Sequence, residues 1–216
     1  MKIKWLGHSA FLITSDNGTK IITDPYTPGG PLQYAEIKES ADIVTVSHGH
    51  FDHNNVASVQ GNPQVVQEAA PVEIKGIKFT GIPTYHDEAR GSQRGSNIIF
   101  CFEVDGMRVC HLGDLGHPLG EKECADLGDV DIMLIPVGGN YTIDARIATE
   151  VCGRTAPKVI IPMHYRNERC SQFPVAGVDD FLEGKETVTR LDTSEVGFRK
   201  EELPSTTQIM VLKPAC

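Results

Sequence analysis

Four side chains able to bind a metal, His48, His50, Asp52 and His53, fall within the six residues HGHFDH. Imidazole and carboxylate donors together suit Zn²⁺, and also Mn²⁺ or Fe²⁺. In extended or loop backbone, residues i and i+2 project to one side, so His48 and His50 can share an ion. A helix would set them about 200° apart. The β-branched run DIVTVS directly ahead favours a strand that opens into a loop. Asp52 and His53 are offset from the first pair, and a turn can aim them at a second point. The competing reading is a solvated turn that happens to be rich in histidine. Against it, all eight histidines lie at or near the end of a predicted strand.

The elements that must position these groups read mostly as short strands. KIKWL, FLITS, KIITD, DIVTVS, IKFTGI, NIIFCFEV and MRVCHL are rich in β-branched and aromatic residues and are bounded by Gly, Pro, Asn or Asp. The Asn-Gly step in SDNGTK and the Asp-Gly step in EVDGMR predict hairpins. DIMLIPV and KVIIPM read as buried strands. Between them, Ile143, Ile147 and Val151 recur at helical spacing, with Gly-x-x-x-Pro afterwards as a stop. VDDFLEG predicts a short helix and TQIMVLKP a last strand. Strands dominate and helices come late, so sheets covered by helices are expected. His8, Asp24, His48, His86, Asp114, Asn140 and His164 each follow a predicted strand. If those strands share a direction, the side chains gather along one sheet edge, where sites are commonly built. No repeat, low-complexity tract or linker divides the chain, so residues 1–216 read as a single domain.

HGHFDH matches the H-x-H-x-D-H signature of the metallo-β-lactamase fold superfamily. Ordered around it are LGHSAFLI, IITDP, a single His in PTYHD, HLGDLGH, IPVGGNYTID and VIIPMHY. The sequence resembles the branch that holds ascorbate-phosphate lactonase-like proteins and other metal-dependent hydrolases. The resemblance implies an α/β fold, the four-layered αββα sandwich, with metals at one edge of two sheets. It also implies that His48, His50 and His86 bind one ion, that Asp52, His53 and His164 bind a second, and that Asp114 bridges the two. Two divalent ions are then expected as cofactors, Zn²⁺ first, with Mn²⁺ or Fe²⁺ as alternatives. Such a pair, about 3.5–4 Å apart, brings the pKa of a shared water toward ~7 and polarises a carbonyl or phosphoryl oxygen. Asp52, a ligand beside that bridging hydroxide, is expected to take its proton.

Other residues are open to two readings. Asp24, in TDP, either accepts a hydrogen bond from a ligating imidazole or caps a turn before Pro25. His8 either reaches the site or ends a strand. His111 competes with His86 as a ligand, and the family order favours His86. His117 is expected near the mouth, able to hold substrate or act as an acid. Asn140 orients substrate or serves the helix start. Arg90 and Arg94 in HDEARGSQRGSN, with Arg166 after PMHY, are the candidates for gripping an anion, or else are solvated loop charges.

A formal net charge of -9 weakens a nucleic-acid role, since affinity there comes largely from Lys and Arg. The N-terminal stretch lacks the continuous apolar run of a signal peptide, and no run is long enough to span a bilayer. A cytoplasmic protein with no membrane partner is therefore expected. The six cysteines, without a C-x-x-C pair, are expected to be free thiols. The favoured function is a binuclear hydrolase acting on a small anionic ester, lactone or phosphodiester. The alternatives are an iron-dependent sulfur dioxygenase-type oxidoreductase and a non-catalytic, metal-stabilised binding protein. Oligomeric state is left open.

Overall fold

A computed structural model describes residues 1–216. The chain lays down β1 (Lys2–Gly7), β2 (Ala10–Thr14), β3 (Lys20–Thr23), β4 (Ile43–Thr45) and β5 (Gln64–Val66) as neighbours in one sheet. A second sheet takes β6 (Val72–Ile74), β7 (Ile77–Tyr85), β8 (Ser96–Val104), β9 (Met107–His111), β10 (Ile132–Pro136), β11 (Val159–Met163) and β12 (Val188–Arg190). The chain then returns to the first sheet with β13 (Glu195–Gly197), paired to β1, and to the second with β14 (Gln208–Val211), between β11 and β12. Three helices, α1 (Glu121–Leu127), α2 (Ala145–Thr155) and α3 (Asp179–Leu182), interrupt the second half.

Strand alternation explains the layering. Along β2, Phe11 and Ile13 enter one apolar cluster while Ala10 and Leu12 enter another; in β3 and β4, Ile21 and Ile43 oppose Ile22 and Val44 in the same way. A strand buried on both faces reads as a continuous apolar run. The first cluster fills the space between the sheets and continues to α2 (Ile147, Ala148, Val151) and α3 (Phe181, Leu182). The second lies under residues 25–41 and 168–175, through Tyr26, Leu32, Tyr34, Ile37, Cys170 and Phe173. The result is the expected two-sheet sandwich, with the outer layer of the first sheet made from chain that holds no α-helix.

Both predicted hairpins form. Thr14 pairs with Lys20 around Gly18 (φ +87°), and Val104 pairs with Met107 around Asp105 (φ +50°) and Gly106 (φ +73°). Two consecutive positive φ values mark the tight turn whose twist suits a two-residue hairpin. That turn sets the β8–β9 register and so places Cys101 opposite Cys110, with Cα atoms 4.2 Å apart. The two form a disulfide, which corrects the expectation of six free thiols; Cys124, Cys152, Cys170 and Cys216 remain free.

One carboxylate ties several elements of the second sheet together. Asp131, buried just ahead of β10, accepts from the Arg108 backbone N–H at 2.9 Å and from Lys158 Nζ at 2.9 Å, and also pairs with Lys200. Burial pushes its pKa up, but Lys200, the Arg108 N–H and Lys158 outweigh that and hold it below the ordinary 3.8. A depressed folded pKa contributes stability that is present above the unfolded value and lost as pH falls through the folded one. Asp131→Asn should therefore cost about 1–2 kcal/mol at pH 6–7, since the lysines are half exposed. In urea titrations, that difference from the parent should shrink below pH 4. A gap that stays constant down to pH 3 would refute the charge contribution.

Candidate metal centre

The chemistry-bearing residues sit where strands end. His8 follows β1, Asp24 follows β3, His86 follows β7 and His164 follows β11. His8, Asp24 and His164 hold positive φ angles of +50°, +38° and +51°, a region that side-chain-bearing residues adopt rarely and at a cost of about 1–3 kcal/mol each. Each sharp exit turns a side chain across the sheet edge. Two glycines allow the remaining close approaches. A Cβ on Gly116 would meet the His86 carbonyl carbon at 2.2 Å, and one on Gly138 would meet the His164 carbonyl oxygen at 2.3 Å. Gly138 thus makes room for the main chain carrying His164.

The side chains converge on one carboxylate oxygen. Asp114 Oδ2 lies 3.1 Å from His86 Nε2, 3.2 Å from His53 Nε2, 3.4 Å from His164 Nε2 and 3.9 Å from His48 Nε2. Ligand atoms of His48, His50 and His86 lie within 4.8 Å of one another, as do those of His8, Asp52, His53 and His164. Buried around this point, His53 Nε2, His86 Nδ1, Asp114 Oδ1 and both ring nitrogens of His164 have no hydrogen-bond partner. Buried polar atoms are almost always paired. So many orphans, all of them N and O donors, fit one or more divalent cations.

Protonation favours the same use. Burial, then His53, lowers His48 to about 3; burial, then His164, lowers His8 to about 4; burial and His86 lower His50. These rings are neutral near pH 7, with lone pairs available. Burial raises Asp114 and Asp52, yet their imidazole neighbours outweigh it and keep both ionised, led by His164 and His53 for Asp114 and by His8 for Asp52. His53 goes the other way: burial lowers it, but Asp114 and Asp24 raise it well above its ordinary value. A cation bound there must displace that proton.

Around the donors, support is dense. Asp24, fully buried, accepts from the Ser47 N–H at 2.8 Å, from the Ser47 hydroxyl at 2.5 Å and from His53 Nδ1 at 2.9 Å. These three donors engage both of its oxygens, and one of the three is a ring nitrogen of the cluster. His8 Nε2 lies 3.3 Å from Asp52 Oδ2. His111 donates from Nε2 to the Ser9 carbonyl at 2.8 Å, and its Nδ1 accepts from the Gly113 N–H at 3.1 Å. Both nitrogens of His111 are committed to backbone, whereas His86 Nδ1 has no partner.

A cleft of about 390 Å³ opens over the cluster, floored by His50, Asp52, His86, Asp114 and His164 and walled by Pro31, Phe51, Arg94, Tyr141 and Phe173. A larger hollow of about 490 Å³, lined by Glu103, Arg108, Asp131 and Lys200, contains none of the cluster. Of the three arginines singled out, only Arg94 reaches the cleft; Arg90 and Arg166 are exposed outside it. His117 does not reach it either. Its Nε2 accepts from the Tyr85 N–H at 3.2 Å and its Nδ1 donates to the Pro118 carbonyl at 2.8 Å, so it has no free proton to give. Asn140 spends its amide on the Pro174 carbonyl at 2.7 Å and caps no helix; Asp144 is the N-cap of α2. Three contributors carried no sequence signal: Ser47, the cleft aromatics, and Asn97. The Asn97 Oδ1 accepts from the Asp114 N–H at 2.9 Å.

With the geometry in place, likeness to known proteins becomes specific. The family model described as a beta-lactamase superfamily domain matches residues 2–164. A UPF0173 metal-dependent hydrolase of Carboxydothermus hydrogenoformans is 33% identical, over 83% of this chain and 88% of its own. The chain belongs to the beta-lactamase superfamily. Within this superfamily, a Thermotoga maritima protein of known crystal structure is 36% identical and superposes with a TM-score of 0.81, covering 98% of this chain and 97% of that one. A metal-dependent hydrolase structure from Parabacteroides distasonis shares the superfamily fold at 21% identity, with a TM-score of 0.65 over 98% and 93% of the two chains.

Proposed function

We propose that the protein is a metal-dependent hydrolase that works with two divalent cations, Zn²⁺ foremost and Mn²⁺ or Fe²⁺ as alternatives, on a small anionic ester, lactone or phosphodiester. The observation that carries this reading is the position of Asp114 Oδ2, within 3.1–3.9 Å of imidazoles from both halves of the cluster. His48, His50 and His86 would hold one ion, Asp52, His53 and His164 the other, and Asp114 would serve both. When bound, the ions supply Lewis acidity that acidifies a water and polarises the substrate's carbonyl or phosphoryl oxygen.

The chain's own groups divide the remaining work. Asp52 lines the cleft as an ionised carboxylate and takes a proton from the attacking water. The neutral His8 ring, protonated on Nε2, donates to Asp52 Oδ2 and fixes which way that carboxylate faces. Asp24 holds His53 Nδ1–H, so a cation that displaces the proton on Nε2 would find that nitrogen's lone pair already aimed beside Asp114. Pro31, Phe51, Tyr141 and Phe173 give the cleft a less polar wall.

Elemental analysis tests the count. The purified protein, stripped with a chelator and reconstituted, should approach two ions per chain and gain hydrolytic activity on a panel of lactones, phosphodiesters and aryl esters. Stoichiometry near zero after reconstitution would end the metal reading, and a ceiling of one would end the two-ion one.

A further inference from the structure

Arg94 presents a guanidinium to the metal cleft that no carboxylate neutralises. It forms no ion pair, and its only polar side-chain contact is a long one, 3.5 Å, to the Asn140 carbonyl. Its place is nonetheless built. The buried Asp87 carboxylate accepts from four backbone N–H groups of the same loop: Ala89 (2.8 Å), Gly91 (2.9 Å), Gln93 (3.0 Å) and Arg94 itself (2.7 Å). The guanidinium then lies over the Tyr141 ring, 4.7 Å from its centroid. The loop backbone is thus fixed and the guanidinium rests on a ring, which lowers the cost of ordering it around an anion.

The same cleft carries aromatic surface. Phe51, set between His50 and Asp52, is 57% exposed. Lining the same cleft, Tyr141 packs on Phe173 with centroids 5.3 Å apart, and the Phe173 ring packs edge-on to His164 at 5.6 Å. Arg94 and Tyr141 also wall a neighbouring hollow of about 320 Å³, where the Glu88 and Asp144 carboxylates would repel an anion. On the metal side the Asp52 and Asp114 carboxylates are offset once cations are bound, so in the loaded enzyme the charge is favoured there. The volume of about 390 Å³ falls in the range of small-ligand sites.

From this juxtaposition we infer that the substrate is an anionic aryl ester, its ring between Phe51 and the Tyr141–Phe173 pair and its carboxylate or phosphate on Arg94. This rests on the hydrolase reading for the ester and on Arg94 and the aromatics for the rest. The metal-loaded enzyme should hydrolyse 4-acetoxybenzoate with kcat/KM at least tenfold above both phenyl acetate and 3-acetoxypropanoate. Arg94→Gln should reduce the preference for charge about tenfold, mainly through KM, with Arg94→Lys recovering part of it; Phe51→Ser should reduce the preference for the ring. A second readout needs no turnover: the metal-loaded protein should bind 2-naphthoate, which has no ester to cleave, more tightly than neutral 2-naphthol when followed by fluorescence, and both substitutions should weaken it. If no ester is cleaved yet naphthoate binding depends on Arg94 and Phe51, the binding assignment stands and the hydrolase reading falls. Equal binding of naphthoate and naphthol, or binding indifferent to both substitutions, overturns the assignment.

Discussion

Asp114→Ala should release both cations together and lower hydrolysis by at least about 10³-fold, the equivalent of about 4 kcal/mol of transition-state stabilisation from the metals. The reason is geometric. No other carboxylate oxygen lies within 4 Å of His48, His53, His86 and His164 at once. Its removal also leaves a ring of imidazoles with less negative charge to offset two divalent ions. Single imidazole losses should behave differently: His164→Ala should weaken one ion selectively, because His48, His50 and His86 form a set without it. Metal analysis beside kcat on the same preparations distinguishes the cases. An Asp114→Ala protein that keeps one ion at parental affinity would show that the carboxylate serves only the other.

The cluster of donor residues was legible because they stand in short local motifs. HGHFDH concentrates four donors in one loop, and the other donors follow β-branched runs whose ends any strand assignment would mark. What stayed hidden depended on contacts far apart in the chain. His86 and His111 both end strands; the family order favoured His86, and the structure adds that both nitrogens of His111 are held by backbone, at Ser9 and Gly113. Arg94 and Arg90 are four residues apart in one loop, yet the N–H groups gathered by Asp87 bring only Arg94 to the cleft. The strands β5, β6, β12 and β13 have three residues each and too little apolar alternation to notice. Helix α1 buries only Leu127 and has no side-chain cap, so neither periodicity nor a capping residue announced it. The Cys101–Cys110 bond follows from a register that becomes countable only once the Asp105–Gly106 turn is known to have two residues.

Asp24 is the point where stability and metal binding meet, and two substitutions there separate the roles. Asp24→Ala leaves the Ser47 N–H and the His53 Nδ1–H without an acceptor in a fully buried place, and leaves the Ser47 hydroxyl only His48 Nδ1, at 3.0 Å. Stranding such groups costs about 3–5 kcal/mol, which should appear as a large loss in urea midpoint for the metal-free protein. Asn is the more informative change. It accepts the left-handed backbone at this position, φ +38°, better than most residues. It also keeps an oxygen for the Ser47 N–H while losing the charge that His53 needs. Asp24→Asn should therefore fold with a smaller stability loss, yet bind the ion at His53 about 10–100-fold more weakly, the usual effect of removing a group that orients a ligating imidazole. A turn cap ahead of Pro25 would give the opposite pattern, with metal affinity at the parental level whatever happened to stability. The comparison of the two variants by denaturation and by metal titration decides which of the two roles Asp24 has.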